Sequence, residues 1–141
     1  MVADCLVRKP AAGLYAFCRR PENLPRLTDH PVEIAAVPGH AARWTVRVPF
    51  GDRQIEWDTA LINDEPGTLI AWQSLPGAPV PNAWTVRFEP TFSGASTKVT
   101  VQLEFDPPGK LATMFNGLLA KKTQQQLTEA LGRFRALMEA T

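Results

Sequence analysis

The sequence predicts an α+β fold in which a seven-stranded antiparallel sheet wraps around a long C-terminal helix. Six consecutive segments between residues 32 and 105 alternate apolar and polar side chains, the period of strands with one buried face. Beyond Pro108 the chain contains no proline and is rich in helix formers. Four tryptophans each fall in a different strand, on its apolar side. A sheet curved around the terminal helix buries all these apolar faces at once.

The N-terminal region predicts one strand followed by two short helices. Residues 2–7 form the strand, and Pro10 opens a helix over the sequence AAGLYAFC. Pro21 begins a second helix with the sequence ENLPRL. Because proline interrupts the helical hydrogen bonds, the two helices are expected to form a bent pair rather than one rod.

The six remaining strands are expected to form an antiparallel meander. Turn residues separate them, including Pro38-Gly39-His40, the run Asn63–Gly67 and Ser93-Gly94. In the segments 42–48, 54–61, 83–89 and 98–105 one set of alternate side chains is apolar and the other is largely polar. The predicted strands are residues 32–37, 42–48, 54–61, 69–74, 83–89 and 98–105.

The long helix carries two apolar clusters that do not lie on one face. At about 100° per residue, the two clusters point in nearly opposite directions. Either the helix bends near Gly117, or its halves contact different partners. The first cluster is Leu111, Met114, Phe115, Leu118 and Leu119, and the second is Leu127, Leu131, Phe134 and Met138.

Alternate loops of a meander lie at the same end of the sheet, which predicts where a pocket would open. The connections at 27–31, 49–53, 75–82 and 106–110 should gather there, together with the first turns of the helix. The proline-rich loop at 75–82 is then expected to face the first apolar cluster, as the mouth of a pocket. Ordinary helix packing and a dimer contact are the alternative interpretations of that cluster.

Composition favours one domain over residues 1–141 and excludes several classes of function. The net charge is +1 with no block of like charge, which disfavours nucleic acid. No apolar run approaches the ~18 residues of a membrane span, and no secretory signal is visible, so a cytoplasmic protein without membrane insertion is expected. The two cysteines fit no metal or redox spacing, and the prediction is no metal and no cofactor. A monomer and a homodimer both remain open.

Several short motifs resemble the START-like superfamily (helix-grip or Bet v 1-like), within it the bacterial polyketide cyclase/dehydrase-type (SRPBCC) proteins. The matching segments follow one another in order over nearly the whole chain. The resemblance implies a helix-grip fold and one of several functions, because this fold hosts lipid carriers, ring cyclases and receptors. The segments are Y-x-F at 15–17, E-N-L-P at 22–25, W-x-V at 44–46, I-E-W-D at 55–58, I-A-W-Q-S-L-P-G-A at 70–78, V-R-F-E-P at 86–90, P-P-G at 107–109 and L-G-R-F-R-A-L-M-E at 131–139.

The tryptophans are the leading candidates for ligand contacts. A sheet curved around one helix tends to leave a cavity, and such cavities bind apolar or aromatic ligands. Trp72 and Trp84 rank first because they flank the predicted mouth loop, and Trp44 and Trp57 follow. The structural alternative is that these aromatics simply fill a core. The other candidates are Phe88, Ser74, Thr59, Leu111, Met114, Phe115 and Leu118.

No catalytic constellation is readable in the sequence. Alternation places the charged side chains of the strands outward, and Thr59 and Ser74 are the only polar residues expected inside. The leading hypothesis is therefore binding of a hydrophobic small molecule of lipid, isoprenoid-quinone or polyketide type. The alternatives are an aromatase/cyclase-type enzyme, and a protein-interaction module that uses the apolar start of the long helix.

Overall fold

The computed structural model contains one seven-stranded antiparallel sheet, and it describes residues 1–28, 32–37, 41–47, 54–106 and 118–141. The strand order is β1-β7-β6-β5-β4-β3-β2, so the meander runs from β2 to β7 and β1 is added beside the last strand. The predicted sheet is confirmed. Its strands are β1 (Val2–Val7), β2 (Val32–Val37), β3 (Ala41–Arg47), β4 (Gln54–Glu65), β5 (Leu69–Ser74), β6 (Asn82–Thr91) and β7 (Ser96–Phe105).

Two short helices follow β1, as predicted, and a long helix follows the sheet. Helix α1 spans Ala11–Cys18, and the second short element, Pro21–Leu27, is a 3-10 helix. Pro25, inside this element, lacks the N–H group that would bond to the carbonyl of Pro21 in an α-helix, which favours the tighter and shorter form. Helix α2 spans Leu118–Glu139.

Strand β4 is longer than the sequence indicated, and the predicted turn at Asn63–Gly67 was wrong in its position. The register shifts between Leu61 and Asn63, so the strand continues through a bulge to Glu65. The turn lies at residues 66–68 and is closed by a 2.9 Å bond from the N–H of Thr68 to the carbonyl of Glu65. The bulge leaves Ile62 57% exposed on the outer side of the sheet.

Helix α2 packs beside β1 and completes the core. The side-chain amide of Gln124 donates to the carbonyl of Val2 at 3.0 Å, and the thiol of Cys5 lies 4.0 Å from the carbonyl of Leu131. Val2 in turn pairs with Gln102 of β7. The first strand therefore lies between the last strand and the last helix.

The second apolar cluster of the helix faces the core, as predicted. Leu131 and Phe134 are buried, Met138 packs against them at the edge, and Leu127 is partly exposed. The ring of Phe134 lies 5.6 Å from that of Phe17 on α1. The first cluster and the possible bend at Gly117 lie outside the described residues, as do the side chains of Leu118 and Leu119.

Candidate ligand-binding site

The four tryptophans lie on one face of the sheet as two stacked pairs. Trp44 and Trp57 are opposite each other on β3 and β4, with ring centroids 5.9 Å apart and planes 12° apart. Trp72 and Trp84 are opposite each other on β5 and β6, at 5.9 Å and 14°. Directly opposite residues of an antiparallel pair share a face, so the predicted common face is confirmed.

A contact between the two pairs shows how strongly the sheet is curled. The rings of Trp44 and Trp84 meet edge to face at 5.9 Å, although β4 and β5 separate their strands. Three strand spacings in a flat sheet would be roughly 14 Å. The indoles therefore converge across a concave face and form one continuous surface, which we call the indole wall: Trp57, Trp44, Trp84 and Trp72.

The indole wall runs from the core towards the loop end of the sheet. Trp72 and Trp84 are buried, at 3% and 7% exposure, whereas Trp44 and Trp57 are partly exposed. Thr59 pairs with Ser74, the last residue of β5, so Trp57 lies beyond the end of that strand, on the side of the loop that follows. The more accessible pair is thus nearer the predicted mouth than the buried pair.

Two of the predicted mouth segments do meet. The N–H of Asp106 donates to the carbonyl of Pro81 at 2.8 Å. An open depression of about 1060 Å³ lies there, lined by residues 73–78, 81–83 and 103–106 with Met1, Ala60 and Ile62. None of these residues is a tryptophan, so this depression lies along the rim and is distinct from the indole wall. Of the predicted mouth segments, residues 29–31, 49–53 and 107–110 lie outside the described part.

The two hydroxyl groups expected inside are engaged in structural hydrogen bonds, but they are not the only inner ones: Thr97 of β7 is also fully buried and donates to the carbonyl of Lys9 at 2.8 Å. Thr59 is fully buried, and its Oγ1 accepts a bond from Nε1 of Trp44 and donates to the carbonyl of Ala42, both at 3.1 Å. Oγ of Ser74 accepts a bond from the N–H of Asn82 at 2.9 Å. These contacts fix the orientation of one indole and the start of β6.

Three other indole nitrogens differ from that of Trp44. Nε1 of Trp57, Trp72 and Trp84 is buried and has no hydrogen-bond partner among the described residues. An indole N–H is only a donor, so its need is for an acceptor oxygen. The indole wall is therefore apolar on its ring faces and carries unmet donors.

Phe88 lies deeper in the core, at the end of the sheet covered by α1. It is 1% exposed, and its ring meets that of Tyr15 edge to face at 6.1 Å. The hydroxyl of Tyr15 donates to the carboxylate of Asp64, which also pairs with Arg19 at 2.9 Å. The hydrogen bond from Tyr15 is the main cause that lowers the pKa of Asp64. Tyr15 thus ties α1 to β4 rather than reaching the indole wall.

The charged cluster around Arg43 on β3 and β4 lies on the opposite, outer face. Arg43 is 2.9 Å from Asp58 and 3.3 Å from Glu56, in an exposed cluster. These partners hold the pKa of Arg43 above its usual value. Among the described residues of β3 to β6, Asp64 is the only charged group on the face of the indole wall, since it is opposite Ile70 after the bulge. It lies at the end covered by α1, where Tyr15 and Arg19 hold it.

Three further apolar residues adjoin the indole wall and were not among the predicted contacts. In register, Leu61 is opposite Trp72, Leu103 is opposite Trp84, and Ile34 is opposite Trp44. All three are partly buried against the core. Alternation alone assigns them to the inner face, so the signal was present in the sequence. The predicted contacts Leu111, Met114 and Phe115, and the side chain of Leu118, lie outside the described residues.

A curled antiparallel sheet with an aromatic concave face, closed by a C-terminal helix, defines a helix-grip protein. The chain belongs to the family described as polyketide cyclase/dehydrase and lipid transport, whose model matches residues 5–139. Within the described residues, no helix is long and apolar enough to cross a membrane, and no group of metal-binding side chains is found. No curated protein matches the chain significantly.

Solved structures share the fold over the full chain. The protein DR_A0006 from Deinococcus radiodurans is 34% identical, with a TM-score of 0.79 over 99% of this chain and 95% of its own. TTHA0849 from Thermus thermophilus is 20% identical, with a TM-score of 0.73 over 100% and 99%. The di-domain ARO/CYC protein StfQ of the steffimycin biosynthetic pathway is 19% identical, with a TM-score of 0.64 over 99% of this chain and 44% of its own. The last two likenesses concern the fold alone.

Proposed function

We propose that the protein binds a hydrophobic small molecule, of lipid, isoprenoid-quinone or polyketide type, against the indole wall. The observation that carries this proposal is the continuous surface of four indoles on a concave face, partly exposed at its loop end. A purely structural core has no need to leave its outermost stacked pair accessible. We expect Trp57 and Trp44 to be the first contacts of an entering ligand, and Trp72 and Trp84 to be the deepest.

The driving force would be removal of apolar surface from water. At roughly 25 cal/mol per Å², a ligand that covers about 200 Å² of the indole wall gains about 5 kcal/mol before the costs of association. Aromatic contacts with the indole faces add about 0.5–1.5 kcal/mol each. After an association cost of at least about 4 kcal/mol, these contributions leave micromolar affinity at best, which suits a carrier that must also release its cargo.

An aromatase/cyclase-type reaction is the second candidate. It is favoured by the family description and by the likeness to StfQ, and it would use the same concave face to fold a chain by positioning. Binding ranks first because the one carboxylate described on this face, Asp64, is held by Tyr15 and Arg19 at the end covered by α1, away from the indole wall.

Direct titration with a neutral apolar fluorophore, N-phenyl-1-naphthylamine, tests the proposal. We expect saturable binding of one molecule per chain, and about tenfold weaker binding in Trp57→Ala, which removes roughly 60 Å² of contact. Leu6→Ala is the matched control, because Leu6 is an exposed apolar residue of β1 that lines neither the indole wall nor the depression. Absence of saturable binding, or equal effects of the two variants, would refute a ligand site at the indole wall.

A second measurement separates the two candidates. Protein purified from its own host is analysed by native mass spectrometry, and any bound compound is incubated with fresh protein. A carrier returns the compound unchanged, whereas a cyclase converts a polyketide-type compound to a product of lower mass through loss of water.

A further inference from the structure

The indole wall contains a concentration of unmet hydrogen-bond donors. Among the described side chains, four buried nitrogen or oxygen atoms have no partner, and three of them are the Nε1 atoms of Trp57, Trp72 and Trp84. Trp72 and Trp84 are more than nine-tenths buried, and their rings are stacked on one another. Folded proteins leave few buried polar groups unsatisfied, so three on one surface require an explanation.

The protein itself shows how such a donor is satisfied when the need is structural. Nε1 of Trp44 donates to the hydroxyl of Thr59, and that hydroxyl donates in turn to the carbonyl of Ala42. In the described part of the chain, the neighbouring indoles have no equivalent hydroxyl partner. Each unmet buried donor costs about 1–3 kcal/mol, and phenylalanine would supply an aromatic ring without that cost. Since none of the described residues accepts from these three N–H groups, they are available to an acceptor from outside the chain.

The chemistry of that partner follows from what the concave face lacks. A plain hydrocarbon would leave the donors unmet. An anionic ligand would bring a charge to a face on which the described residues of β3 to β6 offer no cation, and a buried charge without a counter-ion is strongly disfavoured. A neutral carbonyl oxygen meets both conditions, because it accepts hydrogen bonds and carries no charge.

We propose that the ligand of the indole wall is a neutral carbonyl compound whose oxygens accept hydrogen bonds from Nε1 of Trp57, Trp72 and Trp84. This inference rests on the proposed binding function and specifies its selectivity. The nitrogens are shielded from solvent in the ligand-free arrangement, so the side chains that cover them must move aside when the ligand enters. The unmet donors lower the free-energy cost of that movement, because the covered state does not satisfy them.

Three probes with one ring system test the inference: fluorene, 9-fluorenone and fluorene-9-carboxylate. The measured quantity is the ratio of the Kd for fluorene to the Kd for 9-fluorenone, obtained by equilibrium dialysis. Comparing this ratio between variants removes the difference in solubility between the probes. We expect Trp84→Phe or Trp72→Phe to lower the ratio about two- to tenfold, the value of one net hydrogen bond. Trp44→Phe is the matched control and should leave the ratio unchanged, since that N–H already has a partner.

The indole N–H signals in a nitrogen–proton correlation spectrum give a second readout on the unmodified protein. Adding 9-fluorenone should move at least one signal of Trp57, Trp72 or Trp84 further downfield than fluorene does, whereas the signal of Trp44 should respond alike to the two probes. If fluorene and 9-fluorenone bind with ratios that no Trp→Phe change alters, or if the carboxylate binds most tightly, the inference is wrong and the binding function stands. If no probe binds, the proposed function fails as well.

Discussion

Replacing Thr59 with valine should destabilise the protein, although the two side chains have almost the same shape. The Thr59 hydroxyl is fully buried and links the indole of Trp44 to the backbone of Ala42 through two bonds of 3.1 Å. Valine fills the same space, so no cavity forms, but both bonds are lost. The change therefore isolates the contribution of one hydroxyl group to the order of the indole wall.

The expected loss follows from these two bonds. Each contributes about 1 kcal/mol net, and the indole N–H that remains without an acceptor adds a penalty of up to about 2 kcal/mol. The free energy of unfolding should therefore fall by about 2–4 kcal/mol. Since each kcal/mol corresponds to about 3 °C for a chain of this length, Tm should fall by about 6–12 °C.

Urea unfolding followed by far-ultraviolet circular dichroism measures this loss, with two controls. Thr59→Ser keeps the hydroxyl and removes one methyl group, and it should cost only about 1 kcal/mol. In the double variant Trp44→Phe/Thr59→Val the unmet donor is gone, so the loss should be smaller than the sum of the single changes by about 1–2 kcal/mol. A Thr59→Val protein within about 0.5 kcal/mol of the original would refute the reasoning.

The remaining predictions concern the core, one carboxylate and one thiol. Phe134→Ala should lower the free energy of unfolding by about 3–5 kcal/mol, because it leaves an unfilled cavity. The control Arg135→Ala, at the exposed neighbouring position, should lower it by less than about 1 kcal/mol. Similar losses for the two variants in urea titrations would contradict this prediction. The hydrogen bond from Tyr15 lowers the pKa of Asp64, so its stabilising contribution is complete above about pH 4 and is lost as the pH falls through the lowered value. Asp64→Asn should therefore flatten the acid side of the stability curve in urea titrations between about pH 7 and pH 3, and an unchanged acid slope would count against the contact. Burial raises the pKa of Cys18 to about 12, so at about pH 8 iodoacetamide should label it only after unfolding in urea, and rapid labelling of the native protein in a mass spectrum would show the thiol to be accessible.

The strands could be predicted from the sequence because alternation is a local signal. Trp44 and Val46, or Trp72 and Ser74, need only a period of two to share a face, and the register confirms this. The end of β4 could not be predicted in this way. Asn63 and Asp64 are typical turn residues, but the bulge after Leu61 allows them to continue the strand in an exposed position.

The properties of the candidate site are less local. No periodicity indicates that Trp44 on β3 reaches Trp84 on β6, because that contact depends on the curl of the whole sheet. Likewise, alternation places Thr59 inside but does not show from which indole its hydroxyl accepts a hydrogen bond. Whether an N–H group has a partner depends on three-dimensional distances, and these are not encoded in residue spacing.

The position of β1 between β7 and α2 has a consequence for the order of folding. Val2 pairs with Gln102, and its carbonyl accepts a hydrogen bond from Gln124. About a hundred residues of chain therefore separate these partners in the sequence. Pairings of such long sequence separation slow the search for the native state. During synthesis on the ribosome the first strand emerges early and stays unpaired, an exposed edge on which an assembling chain is prone to aggregate.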